Sequence, residues 1–537
     1  MGGAVLDDNG AQCIIAAAAV TRGGRLIGMH IGVDFGTTRT LVTAVDRGNY
    51  PVVAFLDVQG DAHEHFPSLV AAHDGKLVYG FEALAAAHDG APLVRSFKRA
   101  LASPDVNADT VVQVGDMEAP LLEVLTGFLD ALKVAVRTRS NAPKAKGKDP
   151  SLHTVIAVPA HAHGAQRFLT LEAFRRAGFD VRAMINEPSA AGFEYTHRQG
   201  KTVNAKRTRV VVYDLGGGTF DASLVKVEGT SHDVISTAGL NRLGGDDFDA
   251  VLARCALKAA GIDEGTLDDA ALASLREQCR EGKERISPQS KRIALEVGDV
   301  EVNVAVEAYY EAAAPLVEAT LAAMRPLLGS LDDEEGLSDI AGIYLVGGGS
   351  GLPLVPRLLK ERFGRRVHRS PHPAASTAIG LAIAADDDAG FSLADRLSRG
   401  FGVFRERSEG RAVMFDPIFF PDAALSGTQS VVVSRRYRAA HNVGWFRFIE
   451  CTAIDGAGEP RGDIVPFAEV LFPFDPLLRT RKGPELTGVP VRRRDGGPLV
   501  EERYVIDPHG MVEVHITDLE TGYAQKHAIQ GARAPRG

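Results

Sequence analysis

The sequence predicts a two-part chain, an α/β region followed by an all-β sandwich. Three observations predict it. From Ile31 to about Ala385, strand-like runs alternate with amphipathic helical stretches. Asp386-Asp387-Asp388-Ala389-Gly390 then breaks the alternation. Beyond it come short β-rich runs such as Ser430-Val431-Val432-Val433 and Tyr504-Val505-Ile506, separated by Gly, Pro and Asp turns.

In the α/β region the strand candidates are 31–34, 40–45, 154–158, 209–214, 221–227 and 342–346. The helix candidates are 121–137, 164–177, 187–195, 247–260, 268–286, 307–328 and 353–363. The expected boundaries are an extension over 1–29, the α/β domain over 30–385, a linker over 386–398, the sandwich over 399–530 and a tail over 531–537. With 537 residues and 45% hydrophobic content, more than one core is expected.

The net charge of -9 argues against nucleic acid as a partner, because phosphate backbones attract basic surfaces. The one basic run, Lys144-Ala145-Lys146-Gly147-Lys148, reads as a solvated loop. Cys13, Cys255, Cys279 and Cys451 have no metal-ligand spacing, which points to a reducing compartment and a cytoplasmic protein. No apolar run reaches the roughly 18 residues that span a bilayer. The short run from Cys13 to Val20 follows Asp7 and Asp8 rather than basic residues, so it is a poor signal peptide. Met29 directly precedes the first strong strand, and the residues before it read as an extension upstream of the true start. The intact mass of the native protein tests that expectation.

Two segments share one design. Ile31-Gly32-Val33-Asp34-Phe35-Gly36-Thr37-Thr38 is a strand, then Asp-x-Gly, then hydroxyls. Val211-Val212-Tyr213-Asp214-Leu215-Gly216-Gly217-Gly218-Thr219 repeats it. Both read as hairpins with glycine turns, which suggests two similar lobes facing one ligand. A glycine turn lets backbone N–H groups approach phosphate oxygens, and Thr37, Thr38 and Thr219 add hydroxyl donors. Asp34 and Asp214 would repel phosphate unless Mg²⁺ lies between, held directly or through its waters. A third element, Ile343 to Ser350 with Gly347-Gly348-Gly349, leads into a helix and forms a further seat for a nucleoside or phosphate. No Gly-x-x-x-x-Gly-Lys-Ser/Thr motif is present, which disfavours a P-loop enzyme.

These residues resemble the 70-kDa heat-shock chaperones of the DnaK type, from about His30 to about Ile529. Ile31 to Thr38 looks like the first phosphate motif, Asp214 to Asp221 the second, and Leu345 to Pro353 the adenosine motif. Val158-Pro159-Ala160, Ala165-Gln166-Arg167, Ile185 to Ala191 and Leu243-Gly244-Gly245-Asp246-Asp247-Phe248-Asp249 resemble the connecting segments. The resemblance implies an actin-like two-lobed ATPase domain followed by an all-β sandwich, with ATP/ADP and Mg²⁺ as cofactors.

It also implies residue roles. Lys98 positions the attacking water and the γ-phosphate. Glu187 lies near the metal and Lys98. Asp34 and Asp214 flank Mg²⁺ through water, Thr219 sits by the γ-phosphate, and Asp221 supports the water network. Gly244, Gly245, Lys283 and Ser287 belong to the nucleotide contacts, the last two on one helix face. Pro159 and Arg167 resemble a switch proline and a relay arginine that report nucleotide state to the sandwich.

On the base side the sequence departs from the family. Arg280 stands in place of a usual Glu, Arg39 in place of a common Tyr or Asn, and Glu284 and Gly351 stand where some members put arginines against the adenine. The linker, Phe391-Ser392-Leu393-Ala394, is less leucine-rich than usual, and weaker docking is expected from it. Trp445, Phe446 and Phe448 are candidates for an extended-peptide groove, with the sandwich core as the other reading. The family's C-terminal helical lid has no counterpart, which implies fast peptide exchange. Unfolded peptides, a J-domain co-chaperone and a nucleotide-exchange factor are the implied partners, with no nucleic acid and no membrane. The alternatives are another actin-like ATPase (a filament former, sugar kinase or reactivating factor) and a weakly coupled regulatory adaptor.

Overall fold

The computed structural model describes residues 28–143, 151–199, 203–204, 206–328, 338–421, 423–425, 429–481 and 483–528. The expected N-terminal extension with Cys13, the loop Lys144–Lys148 and the tail 531–537 lie outside the described residues, apart from Gly28 and Met29.

Seventeen elements, taken in chain order, carry the first part. They are β1 (Gly28–Phe35), β2 (Arg39–Ala44), α1 (Leu121–Thr138), β3 (Ser151–Val158), α2 (Gly164–Arg176), β4 (Asp180–Asn186), α3 (Glu187–Gln199), β5 (Arg209–Leu215), β6 (Phe220–Glu228), β7 (Ser231–Leu240), α4 (Gly245–Ala260), α5 (Asp269–Glu284), α6 (Val306–Leu328), β8 (Ile340–Val346), α7 (Leu354–Phe363), β9 (Val367–Arg369) and α8 (Ser376–Ala384). One sheet has the order β4-β3-β1-β2, closed by a short strand Phe66–Pro67. In it β1 pairs with β3 in parallel and with β2 as a hairpin. The second sheet contains β9-β8-β5-β6-β7. Here β5 pairs with β8 in parallel and with β6 as a hairpin. Each hairpin is thus flanked by a parallel strand, and Asp34 and Asp214 each occupy the next-to-last position of their strand.

The local sequence explains these elements. In α1 the buried residues Leu121, Val124, Leu125, Phe128, Leu132 and Val136 recur at helical spacing and form one stripe against the first sheet. The start of α4 is capped by Asp247, which accepts the Gly244 N–H at 2.8 Å, and the helix ends at Gly261 in the left-handed conformation (φ 68°). The run Ser376-Thr377-Ala378-Ile379-Gly380-Leu381-Ala382-Ile383 in α8 is buried on every side. It lies so close to β1 that a Cβ at Gly32 would sit 2.4 Å from the Ala382 nitrogen. A Cβ at Gly380 would sit 1.7 Å from the Ala190 carbonyl oxygen in α3.

After α8 the chain forms β10 (Ser392–Arg396), which pairs in parallel with β7 and extends the second sheet. Weak docking was expected of this linker, and here it is a paired strand. Backbone hydrogen bonds carry the pairing and do not require leucine side chains. Phe391 anchors it, stacked on His232 (5.7 Å) and edge-on to Phe193 (5.6 Å). The sandwich strands are β11 (Gly400–Arg407), β12 (Ala412–Phe419), β13 (Ala424–Leu425), β14 (Val431–Arg438), β15 (Val443–Ile454), β16 (Pro460–Pro473), β17 (Leu499–Ile506), β18 (Val512–Asp518) and β19 (Ala524–Ala528). They form two four-stranded sheets, β12-β11-β15-β16 and β14-β17-β18-β19, while β13 pairs with the linker strand. Aromatic contacts join the two sheets, including Phe448 to Tyr504 at 6.2 Å. Glu502 is fully buried between them and receives both Arg405 Nη1 (3.1 Å) and Nη2 (2.7 Å).

Alanine is a better helix former than glycine by about 1 kcal/mol. At residue 380 that gain competes with a collision against backbone, and overpacking costs about 1–3 kcal/mol even against movable side chains. Gly380→Ala is therefore expected to lower the urea unfolding midpoint. A midpoint equal to or above the parent's would mean that α3 and α8 separate at little cost.

Candidate functional site

A cleft of about 390 Å³ opens where the two hairpin turns meet. Its walls are Gly36-Thr37-Thr38, between β1 and β2, and Gly216 to Thr219, between β5 and β6. Gly347 to Gly349, after β8, form a third side. The turns leave no room for side chains between them. A Cβ on Gly217 would meet Thr38 Oγ1 at 3.0 Å, and one on Gly218 would meet Thr37 Oγ1 at 2.9 Å. Gly347 has φ 81°, and a Cβ there would lie 2.3 Å from Asp214 Oδ1.

Charge is concentrated at the cleft base. Lys98, from the 3-10 helix Phe97–Ala102, is buried. Its Nζ donates to the Phe35 carbonyl, lies 3.6 Å from Glu187 Oε1, and sits 5.1 Å from the centre of the Phe35 ring. Around it are four carboxylates, of which Glu187, Asp214 and Asp221 are buried and Asp34 is half-buried. Asp34 is pushed up to about 7, chiefly by burial and then by Glu187, while Lys98 pulls it down. Asp221 is pushed up to about 8 by burial and by Glu187, against the Ala160 N–H that it accepts at 2.8 Å. Asp214 is held well above the usual carboxylate range by burial, then by Glu187, Asp34 and Asp221; the Thr377 hydroxyl donates to it at 3.3 Å. Burial also raises Glu187, against Lys98. One lysine does not balance four carboxylates, and Asp221 Oδ2 has no hydrogen-bond partner among the described residues.

This donor set fits a hydrated divalent cation, which would relieve the mutual repulsion. Among the described residues no three His, Cys, Asp or Glu side chains form a group that could hold an ion. The glycine turns and threonine hydroxyls fit polyphosphate oxygens.

Most of the predicted site residues line this one cleft: Asp34, Lys98, Glu187, Asp214 and Thr219 at its base, with the glycines and threonines of the turns. Gly245 and Lys283 line its outer part, Lys283 Nζ being held by Asp249 (2.7 Å) and by the Gly245 carbonyl (2.7 Å). Asp221 lies buried beneath, and Gly244 backs the turn, 2.5 Å from Gly218 N by its hypothetical Cβ. Ser287 does not join them. The helix α5 ends at Glu284, so residues 283 and 287 share no helix face, and Ser287 is exposed with its N–H on the Ser290 hydroxyl.

Pro159 lines the cleft, and Arg167 lies at the other end of the same segment. Arg167 Nη2 donates to the His509 carbonyl of the sandwich (3.1 Å) and Nη1 to Asn186 Oδ1 (3.2 Å). Nearby, the Gly164 N–H donates to Glu450 Oε2 (2.8 Å), and Arg399 Nη1 pairs with Asp463 (2.9 Å).

The three groove candidates separate. Strand alternation in β15 turns Phe446 and Phe448 into the sandwich core, 7% and 1% exposed, and leaves Trp445 50% exposed on the opposite face. Sequence reasoning missed Arg99, Asp246, Thr377 and Arg369. Arg99 follows Lys98 directly and meets Asp246 at 3.3 Å, so adjacency to a predicted residue was a usable signal. Thr377 and Arg369 carried none.

A cleft of this kind belongs to proteins that bind a metal–polyphosphate, here within an α/β framework. The family model described as Hsp70 protein matches residues 30–395, well over half the chain, and the chain belongs to that family. Its members are ATPase chaperones that bind ATP or ADP with Mg²⁺, unfolded peptides and co-chaperones. No helix among the described residues is long and apolar enough to cross a membrane.

His161 and His163 lie at the junction with the sandwich. Among the described residues neither ring nitrogen of His161 has a hydrogen-bond partner. Burial, with Arg399 adding to it and Asp463 opposing, pushes both histidines down to about 4. Unfolded histidine takes up its proton near 6.5, so the depressed folded values give stability that is complete above that pH. It is lost as pH falls toward 4. The melting temperature should therefore drop between pH 6.5 and 4.5, and His161→Asn/His163→Asn should flatten the slope. An unchanged slope would assign the effect to other groups.

Proposed function

We propose that this chain is an ATP-hydrolysing chaperone in which the nucleotide state sets the affinity of the sandwich for extended polypeptide. The observation that carries the reading is buried Lys98 with its four carboxylates at the base of a glycine-turned cleft, linked by contacts of the segment Pro159–Arg167 to the sandwich. In this reading residues 30–385 are an actin-like domain of two lobes, 386–398 the linker and 399–530 the peptide-binding sandwich. Residues 1–29 and 531–537 are an extension and a tail. A J-domain co-chaperone and a nucleotide-exchange factor are the expected partners, in the cytoplasm.

Phosphoryl transfer to water needs positioning and charge neutralisation more than covalent help. Asp34 and Asp214 would hold Mg²⁺ through its waters, and the bound ion would neutralise the phosphate charge. The turn N–H groups with Thr37 and Thr38 hold the phosphates. Lys98 orients the attacking water and the γ-phosphate, with Thr219 beside it, while Glu187 fixes Lys98 and Asp221 holds the water network. Lys98 is the group whose charge is made useful by burial, because Coulomb terms grow as water is excluded. Of the three groove candidates, Trp445 alone is available to a peptide.

Removing one such electrostatic group costs about 10²–10³ in rate. Lys98→Ala should lower single-turnover ATP hydrolysis by that order while ATP affinity changes only a few-fold. Hydrolysis at the parent rate would remove Lys98 from the chemistry. Affinity for a labelled unfolded peptide should be weaker in ATP than in ADP. Equal affinity in both would show uncoupled parts and favour an adaptor.

A further inference from the structure

Six cationic side chains line the cleft: Arg39, Lys98, Arg99, Arg280, Lys283 and Arg369. Five are held by carboxylates. Arg39 pairs with Glu284 at 2.5 Å, Lys98 with Glu187, Arg99 with Asp246, Arg280 with Glu277, and Lys283 with Asp249. The Arg369 guanidinium alone has no carboxylate or other hydrogen-bond acceptor among the described residues. A guanidinium that lines a cleft with its donors and its flat face free is built for something that enters the cleft.

Its position says which part of the ligand that is. The loop after β8 starts at Gly347 against Asp214 at the cleft base. It passes Leu215 and Gly216 at Gly349, and reaches Arg369 at Gly351. Arg369 is therefore at the outer end, away from Lys98 and the carboxylates that suit the phosphates. Gly351 has no side chain, and a Cβ there would meet Arg369 Nη2 at 3.5 Å, an ordinary contact distance. The guanidinium thus borders the space a side chain at 351 would take. It comes from β9, the edge strand of the second sheet. Leu352, buried beside it, gives the subsite an apolar wall. A flat cation beside a glycine and a leucine suits a flat aromatic heterocycle.

We infer that Arg369 is a base-contacting residue, its guanidinium forming one face of the nucleobase subsite in the space that Gly351 leaves open. The inference rests on the nucleotide reading of the cleft. It places base recognition on a residue outside the glycine motif.

The test is calorimetric titration of the full chain, Arg369→Ala and Arg369→Lys with MgATP and with magnesium tripolyphosphate, which lacks base and ribose. Arg369→Ala should weaken MgATP about ten-fold, within the range for stacking on a base, and tripolyphosphate less than two-fold. Arg369→Lys, which keeps the charge and loses the plane, should weaken MgATP nearly as much. An equal loss for both ligands would make Arg369 a phosphate-steering charge and overturn the inference. So would full rescue by lysine, or no loss at all. If the parent chain bound neither ligand, the nucleotide reading itself would fall; binding of tripolyphosphate but not MgATP would keep the phosphate seat and sink the base subsite. Arg369 is exposed, and an unchanged melting temperature in both variants separates contact from misfolding.

Discussion

Four carboxylates crowded around one buried lysine form an arrangement that a folded protein holds only against resistance. Asp34, Glu187, Asp214 and Asp221 repel one another and have lost most of their water, and each is raised toward the neutral form. A chain selected for stability alone would replace some of them with apolar groups. Their presence makes sense when a divalent cation offsets part of that charge. The rest of the site follows from that constraint. The turns have to be glycine, because side chains would fill the space the phosphates need. Lys98 has to come from a separate element, so that it enters between the hairpins, where it rests on Phe35.

Holding such a cluster requires rigid walls on both sides. The fully buried helix α8 supplies much of that. It packs on β1 at Gly32 and on α3 at Gly380, and α3 begins with Glu187. Thr377 of the same helix bonds Asp214. One short helix therefore touches the strand that carries Asp34, the helix that carries Glu187 and the carboxylate of Asp214. Its small residues are what allow approaches this close; a larger side chain at either glycine would separate elements that must stay in register.

The fold was legible where burial leaves a periodic trace. The strands 154–158, 209–214 and 342–346 read as runs of β-branched and aliphatic residues because parallel strands are buried on both faces, and they appear within a few residues of the expected bounds. The cleft residues were legible because glycine turns and paired aspartates are unusual in combination. What escaped had no such trace. Helix α8 is apolar all round and shows no amphipathic period. The linker strand β10 is held by backbone pairing, so its diluted side chains were a poor guide. Ser287 was placed on a helix that stops too soon. Phe446 and Phe448 were readable, since Trp445-Phe446-Arg447-Phe448 alternates with period two and only one parity can face the core. Arg369 was not, since its partner in space is a glycine with no side chain to mark the site.

The segment from Pro159 to Arg167 runs from the cleft wall to hydrogen bonds with the sandwich. At one end the Ala160 N–H is bound by Asp221, a member of the carboxylate cluster. At the other, the Gly164 N–H and Arg167 reach Glu450 and the His509 carbonyl. Any change in charge at Asp221 alters the acceptor that holds residue 160, and a segment this short has little slack to absorb a shift. The groups at its far end are buried, so a displacement there has to be repacked rather than solvated. That combination, a charge-sensitive acceptor at one end and desolvated polar contacts at the other, is the contact route along which the proposed coupling would run.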